Sequence, residues 1–132
     1  MESVENYFEL INAEWSSYDD FERKFGSDND PRFASIRYSH WNAHNDIGYF
    51  VRSGLIDIED VYNVIGITPP FLWAKYEPII REQRKRYNGA DWLSHFEYLA
   101  IELLKMKIRR DPTYEIPEHF AKYIPENEYS NL

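Results

Sequence analysis

Apolar residues recur at three- and four-residue spacing along nearly the whole chain, and this helical periodicity limits the possible folds most. The longest stripe consists of Phe33, Ile36, His40, His44, Ile47 and Val51. No segment alternates apolar and polar residues between hairpin turns, which would be typical of a half-buried strand. The sequence therefore predicts an all-α fold.

Capping residues and helix-ending glycines divide the periodic stretches into helices. Two short helices are expected first, one across residues 7–15 and one from Asp19-Asp20 to Gly26. Asp30 precedes Pro31 and predicts the start of a long helix that reaches about Ser53, before Gly54. Asp57 is then placed to cap a short helix over residues 58–65, which Gly66 ends.

Two longer helices follow and should form an antiparallel hairpin across the turn Asn88-Gly89. The first is expected from an N-cap at Thr68 to about Tyr87, with a kink at Pro78. The second, from Ala90 to about Arg110, is apolar on most sides and should be the central helix. These features predict a single-domain bundle of about five to six helices over residues 1–110. Residues 111–132 are expected to be a proline-containing, partly ordered tail with one helical turn at 118–123.

Composition excludes several classes of enzyme. The 132 residues include no cysteine and five isolated glycines, which excludes disulfide scaffolds, thiolate metal sites, a thiol nucleophile and a glycine-rich phosphate loop. The serines lie outside any G-x-S-x-G motif. Whether the protein is an enzyme stays open, with the balance against one, and no cofactor is expected.

The net charge of −8 is unevenly distributed. Residues 1–30 hold nine acids and two bases, whereas residues 68–110 hold nine bases and five acids. Most of these bases fall in two groups, at residues 81–86 and 105–110. The groups should lie at opposite ends of the hairpin, so a nucleic-acid partner is not expected. The acidic N-terminus does not resemble a signal peptide and no apolar run is long enough to span a membrane, which favours a cytoplasmic protein.

His40 and His44 are the best candidates for a metal site, with Glu97 as a third ligand. At positions i and i+4 of one helix the two imidazoles share a face and can bind one ion. The alternative is that both histidines are partly buried structural residues, and that Glu97 forms an ion pair. Arg37, Arg81 or Arg84 could be its partner, and Arg84 is favoured because it could reach Glu97 across the hairpin.

Aromatic residues outside the main stripes suggest a second kind of function. Trp41, Tyr49 and Trp73 are either half-buried core edges or members of a protein–protein surface, since exposed aromatic residues are frequent hot spots. The favoured interpretation is a non-enzymatic helical bundle that acts through contacts with a protein partner or with itself. The alternative is a small metal- or ligand-binding protein that uses His40, His44 and Glu97.

Residues 30–104 also resemble a known family. The similarity rests on Ile47-Gly48, Gly54-Leu55-Ile56-Asp57, Val61-Tyr62, Phe96-Glu97-Tyr98-Leu99-Ala100 and, most specifically, the spacing of Trp73, Pro78, Ile80 and Arg84. This pattern resembles an uncharacterised family of small helical proteins of bacteria and archaea, known only as a domain of unknown function. The resemblance implies a helical, prokaryotic, intracellular protein and supplies no catalytic residues. Asn45 departs from the pattern, in which an acid is expected; if that acid served a ligand, this chain has lost it.

Overall fold

The computed structural model describes residues 2–121 and confirms the all-α prediction. Six α-helices follow one another: α1 Glu2–Asn12, α2 Tyr18–Phe25, α3 Pro31–Arg52, α4 Ile58–Ile65, α5 Thr68–Arg86 and α6 Ser94–Arg110. A short 3₁₀ helix, Glu118–Phe120, comes after them. The described part of the chain contains no strand. None of its helices is both long enough and apolar enough to cross a bilayer.

Several predicted helix boundaries are present with their expected chemistry. The Asp30 carboxylate accepts a hydrogen bond from the Phe33 backbone N–H at 3.0 Å, and Asp57 accepts one from Glu59 at 3.1 Å. Gly54 has a φ of +84°, the left-handed conformation that favours glycine after a helix. Helix α5 also continues through Pro78, as the uninterrupted apolar pattern predicted.

Four predicted helices need correction. The first runs over Glu2–Asn12 and not over residues 7–15, so Trp15 lies outside it. Ser17, and not Asp19, caps α2, and α5 is preceded by Ile67 with no side-chain cap, so Thr68 is its first residue. The central helix begins at Ser94 and not at Ala90, because Leu93 has a positive φ of 61° that is incompatible with a right-handed helix. The Leu93 side chain is nevertheless buried in the core, which holds this turn in place.

Helix α6 is central, as expected, and packs against α3, α4 and α5. The main core is rich in large aromatic side chains that are fully buried: Phe21, Trp41, Trp73, Tyr76, Phe96 and Phe120. Together with Phe33 these are the buried aromatic residues of the described part of the chain, and several others pack against them at partial exposure. A smaller apolar cluster joins α4 to the other face of α6 through Val61, Leu99 and Leu103.

The buried stripe of α3 differs from the predicted one. Its buried residues are Phe33, Ala34, Arg37, Trp41 and Gly48, whereas His40 and His44 are only half-buried. The prediction was out of phase because an arginine and a glycine occupy two core positions. Neither residue counts as apolar in a periodicity argument.

The chain beyond Arg110 returns to the helical domain. Phe120 is fully buried in the main core, and Tyr114 and Ile116 pack against that core. The predicted helical turn at 118–123 is present in part, as the 3₁₀ helix Glu118–Phe120. Its end at Tyr123 and the predicted loose tail lie outside the described residues.

Candidate functional site

The ion pair predicted across the hairpin is present between Arg84 and Glu97. Arg84 Nη1 lies 3.2 Å from Glu97 Oε1, and Arg84 Nε donates to the Trp92 carbonyl oxygen at 2.6 Å. Arg81 Nη2 contacts the second oxygen of Glu97 at 3.0 Å. Glu97 therefore joins the last turns of α5 to the first turn of α6, which fixes the register of the hairpin.

A second carboxylate, Glu77, is buried more deeply than Glu97. Glu77 is 1% exposed and pairs with Arg81 and with His119 Nε2 at 2.5 Å. The pair with His119 ties the 3₁₀ helix to α5. Sequence reasoning missed Glu77 because its partner lies 42 positions away; the i, i+4 spacing to Arg81 was the available signal. The two ion pairs of this buried carboxylate favour a structural role.

His40 and His44 lie on one face of α3 with stacked rings whose centroids are 6.5 Å apart. His44 Nδ1 donates to the His40 carbonyl oxygen at 2.6 Å, and the His44 ring packs on Phe96. Burial lowers the pKa of both histidines, because it penalises the charged imidazolium. Both carboxylate oxygens of Glu97 contact arginines. Within residues 2–121, no group of three or more His, Asp and Glu side chains is arranged to hold a metal ion.

Two of the three aromatic surface candidates are core residues. Trp41 and Trp73 are fully buried, so neither is a surface residue, and both lie deeper than the half-buried core edges that were the alternative. Trp73 packs edge-on against Phe96 and lies beneath the guanidinium of Arg84, whereas Tyr49 is exposed and touches His95. Only Tyr49 is available for a surface contact in this conformation.

Arg37, one of the partners that the sequence offered for Glu97, is instead a buried cation among aromatic rings. It is 1% exposed, and its guanidinium lies over the rings of Phe21, Tyr38 and Trp41 at centroid distances of 5.1, 4.7 and 5.1 Å. Its Nε and Nη1 atoms have no hydrogen-bond partner among the described residues. The aromatic faces partly compensate the loss of water through cation–π attraction.

Asn45 accepts hydrogen bonds from the first turn of α6, which explains a polar residue at this position. Its Oδ1 atom accepts the backbone N–H groups of His95 and Phe96 at 3.1 and 3.0 Å. Helix α6 has no side-chain cap from its own preceding residue, Leu93, so Asn45 of α3 caps it from across the bundle. A carboxylate here could accept the same two hydrogen bonds, and Asn45 retains this capacity.

An apolar groove lies between α3, the loop before α4, and α4 itself. It has a volume of about 250 Å³ and is lined by Ile47, Ile56, Asp60, Val61, Val64 and Ile65. Val64 is 83% exposed, and Leu55, which precedes the lining residue Ile56 in the chain, is 72% exposed. Large exposed apolar side chains next to an apolar groove are typical of an interaction surface. We call this region, residues 47–65, the α4 groove.

A family model described as a domain of unknown function, DUF4760, matches residues 2–103. The chain belongs to the DUF4760 family. The match spans α1 to most of α6, and so includes the α4 groove, the histidine pair and the Arg84–Glu97 pair. No curated protein and no solved structure matches the chain.

Proposed function

We propose that this DUF4760 protein acts through protein–protein contacts, and that the α4 groove is the surface at which they are made. The exposure of Val64 is the observation that carries the proposal. A valine that is 83% exposed, at the lip of an apolar groove, gains from burial by a partner.

The charges around the α4 groove favour a partner with basic residues. Asp60 lines the groove and Asp57 lies at the start of the same helix. Within residues 2–121, neither carboxylate belongs to an ion pair. A partner segment with apolar side chains flanked by lysine or arginine would bury Val64 and oppose these acids.

Self-association is the second form of this hypothesis. A second copy could cover Val64 and Leu55, but a two-fold contact would bring the same acids of both copies together. Higher salt would then strengthen a dimer by screening the repulsion, whereas it would weaken a contact with a basic partner. The direction of the salt dependence distinguishes the two.

The experiment compares the wild-type chain with Val64→Glu. Binding of a synthetic amphipathic helical peptide of leucine and lysine is measured by fluorescence anisotropy, and a leucine–glutamate peptide serves as the charge control. The wild type should bind the basic peptide, and Val64→Glu should lose that binding. Phe8→Glu is the matched variant, because Phe8 is an exposed apolar residue of α1, outside the groove; it should bind like the wild type.

Simple charge attraction predicts the opposite result. The added carboxylate of Val64→Glu would then leave binding of the basic peptide unchanged or increase it, and the proposal would fail. Light scattering of the chain without peptide tests self-association. A dimer that is lost in Val64→Glu would identify a second copy as the occupant of the groove.

A metal site at His40 and His44 remains the second candidate, since their rings stack on one face of α3. Such a site would need ligands other than Glu97 in its present ion pairs. Zinc or nickel should raise the melting temperature of the wild type and leave that of His44→Ala unchanged. Equal shifts in both proteins would contradict this candidate.

A further inference from the structure

Residues 112–120, which we call the strap, lie against the helical domain and are held mainly by side chains. The backbone of residues 112–119 forms no hydrogen bond with any of the six helices that the structure describes. Tyr114 and Ile116 pack against the main core, and Phe120 is buried in it. Segments with few hydrogen bonds to the rest of a protein open at a lower free energy than the whole domain unfolds. The strap is therefore attached in the manner of a bound peptide.

Two adjacent residues at the end of the strap, His119 and Phe120, make its buried contacts. His119 Nε2 lies 2.5 Å from Glu77 Oε1, and the imidazole is the donor because an ionised carboxylate only accepts hydrogen bonds. Glu77 is 1% exposed and Phe120 is 0% exposed. The helical domain thus offers a recess filled by an aromatic ring, next to a buried carboxylate that binds a basic side chain.

Glu77 keeps a partner on its own helix when the strap leaves. It also pairs with Arg81, one turn later on α5. Removal of the only partner of a buried charge would strongly oppose opening of the strap. The pair with Arg81 removes this obstacle, so His119 is a replaceable second partner of the carboxylate.

The strap lies outside the region that the family match covers. The DUF4760 match spans residues 2–103, which include Glu77 and Arg81, whereas the strap begins at residue 112. The surface under the strap is therefore built by the family domain, and its cover comes from residues beyond the match.

We propose that the surface under the strap is a binding site for a peptide segment of another protein, which the strap fills until that segment displaces it. The partner segment is extended and has a basic residue directly before an aromatic residue. The basic side chain takes the place of His119 at Glu77, and the aromatic ring takes the place of Phe120. The strap is then an intramolecular competitor of the partner.

The partner needs an advantage over the strap, because a tethered segment acts at a millimolar effective concentration. A lysine or arginine before the aromatic residue provides one, since these side chains are charged at every physiological pH and a histidine is not. The strap of a second copy offers only the contacts already made within one chain. A different protein is therefore the favoured occupant.

The experiment measures binding of a fluorescent peptide to the full-length chain by fluorescence anisotropy. The peptide has the sequence of residues 111–121 with the change His119→Arg. Its binding to the wild type is compared with its binding to the full-length variant Phe120→Asp, whose own strap cannot occupy the recess. The peptide should bind this variant about tenfold more tightly than the wild type, or better, because the competitor is removed. Equal affinity for the two proteins would overturn the proposal.

Two control peptides test the two contacts separately. One carries Phe120→Ala and lacks the aromatic ring, and the other carries His119→Glu and brings a like charge to Glu77. Each should bind the Phe120→Asp chain at least about tenfold more weakly than the first peptide. Equal binding of the three peptides would show that neither contact directs recognition, and the proposal would be wrong.

Three protein measurements complete the test. Phe8→Asp changes an exposed phenylalanine of α1 and should bind the peptide as weakly as the wild type. Val64→Glu, introduced into the Phe120→Asp chain, should leave binding unchanged; a loss would place the peptide in the α4 groove and overturn the proposal. The Phe120→Asp chain should also keep a cooperative thermal melt. If it does not, the strap is an essential part of the core and cannot be a displaceable ligand.

Discussion

Gly48 of α3 packs directly against the backbone of α6. Replacing it by alanine tests this packing. A Cβ atom at this position would lie 2.0 Å from the His95 carbonyl oxygen and 3.2 Å from Leu99 Cβ. Ordinary van der Waals contact begins near 3.4 Å, so the first contact falls short by 1.4 Å. The atom in the way is backbone, which cannot move aside as a flexible side chain can.

Two opposing effects determine the size of the change. Alanine in a helix is intrinsically more stable than glycine by roughly 0.5–1 kcal/mol. Overpacking of a well-packed interior costs about 1–3 kcal/mol, occasionally more. Separation of α3 from α6 would also stretch the hydrogen bonds from Asn45 to α6, and loss of a helix cap costs about 1 kcal/mol. We expect Gly48→Ala to lower the free energy of unfolding by about 2–3 kcal/mol.

Urea denaturation followed by circular dichroism measures this effect, and the midpoint should fall while the m-value stays constant. A thermal melt should show a decrease of about 6–15 °C. Ala43→Gly is the control, because Ala43 is exposed on the same helix and reports the intrinsic difference, about 1 kcal/mol. If Gly48→Ala is as stable as the wild type, or more stable, the described approach of α3 to α6 is wrong.

Three further predictions concern the cap, the ion pair and the histidines. Asn45→Ala should cost about 1–2 kcal/mol in a urea melt, whereas Asn45→Asp should keep the stability of the wild type because a carboxylate can accept the same bonds; equal losses would contradict the capping role. Glu97→Ala should cost about 1–3 kcal/mol, since Arg84 is left half-buried without its anion, and a loss below about 0.5 kcal/mol would show that the pair is negligible. Burial lowers the pKa of His44, so the folded state favours the neutral ring; stability should be complete above about pH 6.5 and decline as the pH falls below it. His44→Gln should flatten this decline in melts between pH 7 and 5, and an unchanged decline would exclude His44 as its source.

Local signals in the sequence were sufficient for most of the helices. The carboxylates of Asp30 and Asp57 accept hydrogen bonds from backbone N–H groups two or three residues away. Gly54 has a positive φ that other residues rarely adopt. The Arg84–Glu97 pair was also predictable, because a short turn joins two long helices and brings the end of one beside the start of the other.

Only the tertiary structure decided which face of α3 is buried and where α6 begins. The buried face contains Arg37 and Gly48. Aromatic rings compensate the buried charge of Arg37, and Gly48 allows α3 to approach α6 closely. A hydrophobic periodicity detects neither residue. Helix α6 is capped by a side chain 50 residues away in the sequence, so no local pattern could place its first turn. The burial of Gln83 Oε1 and Arg84 Nη2 without a hydrogen-bond partner among the described residues also follows from the packing of the helices. Local sequence determines which hydrogen bonds a segment can make with itself, whereas burial and partners distant in the chain depend on how the helices pack.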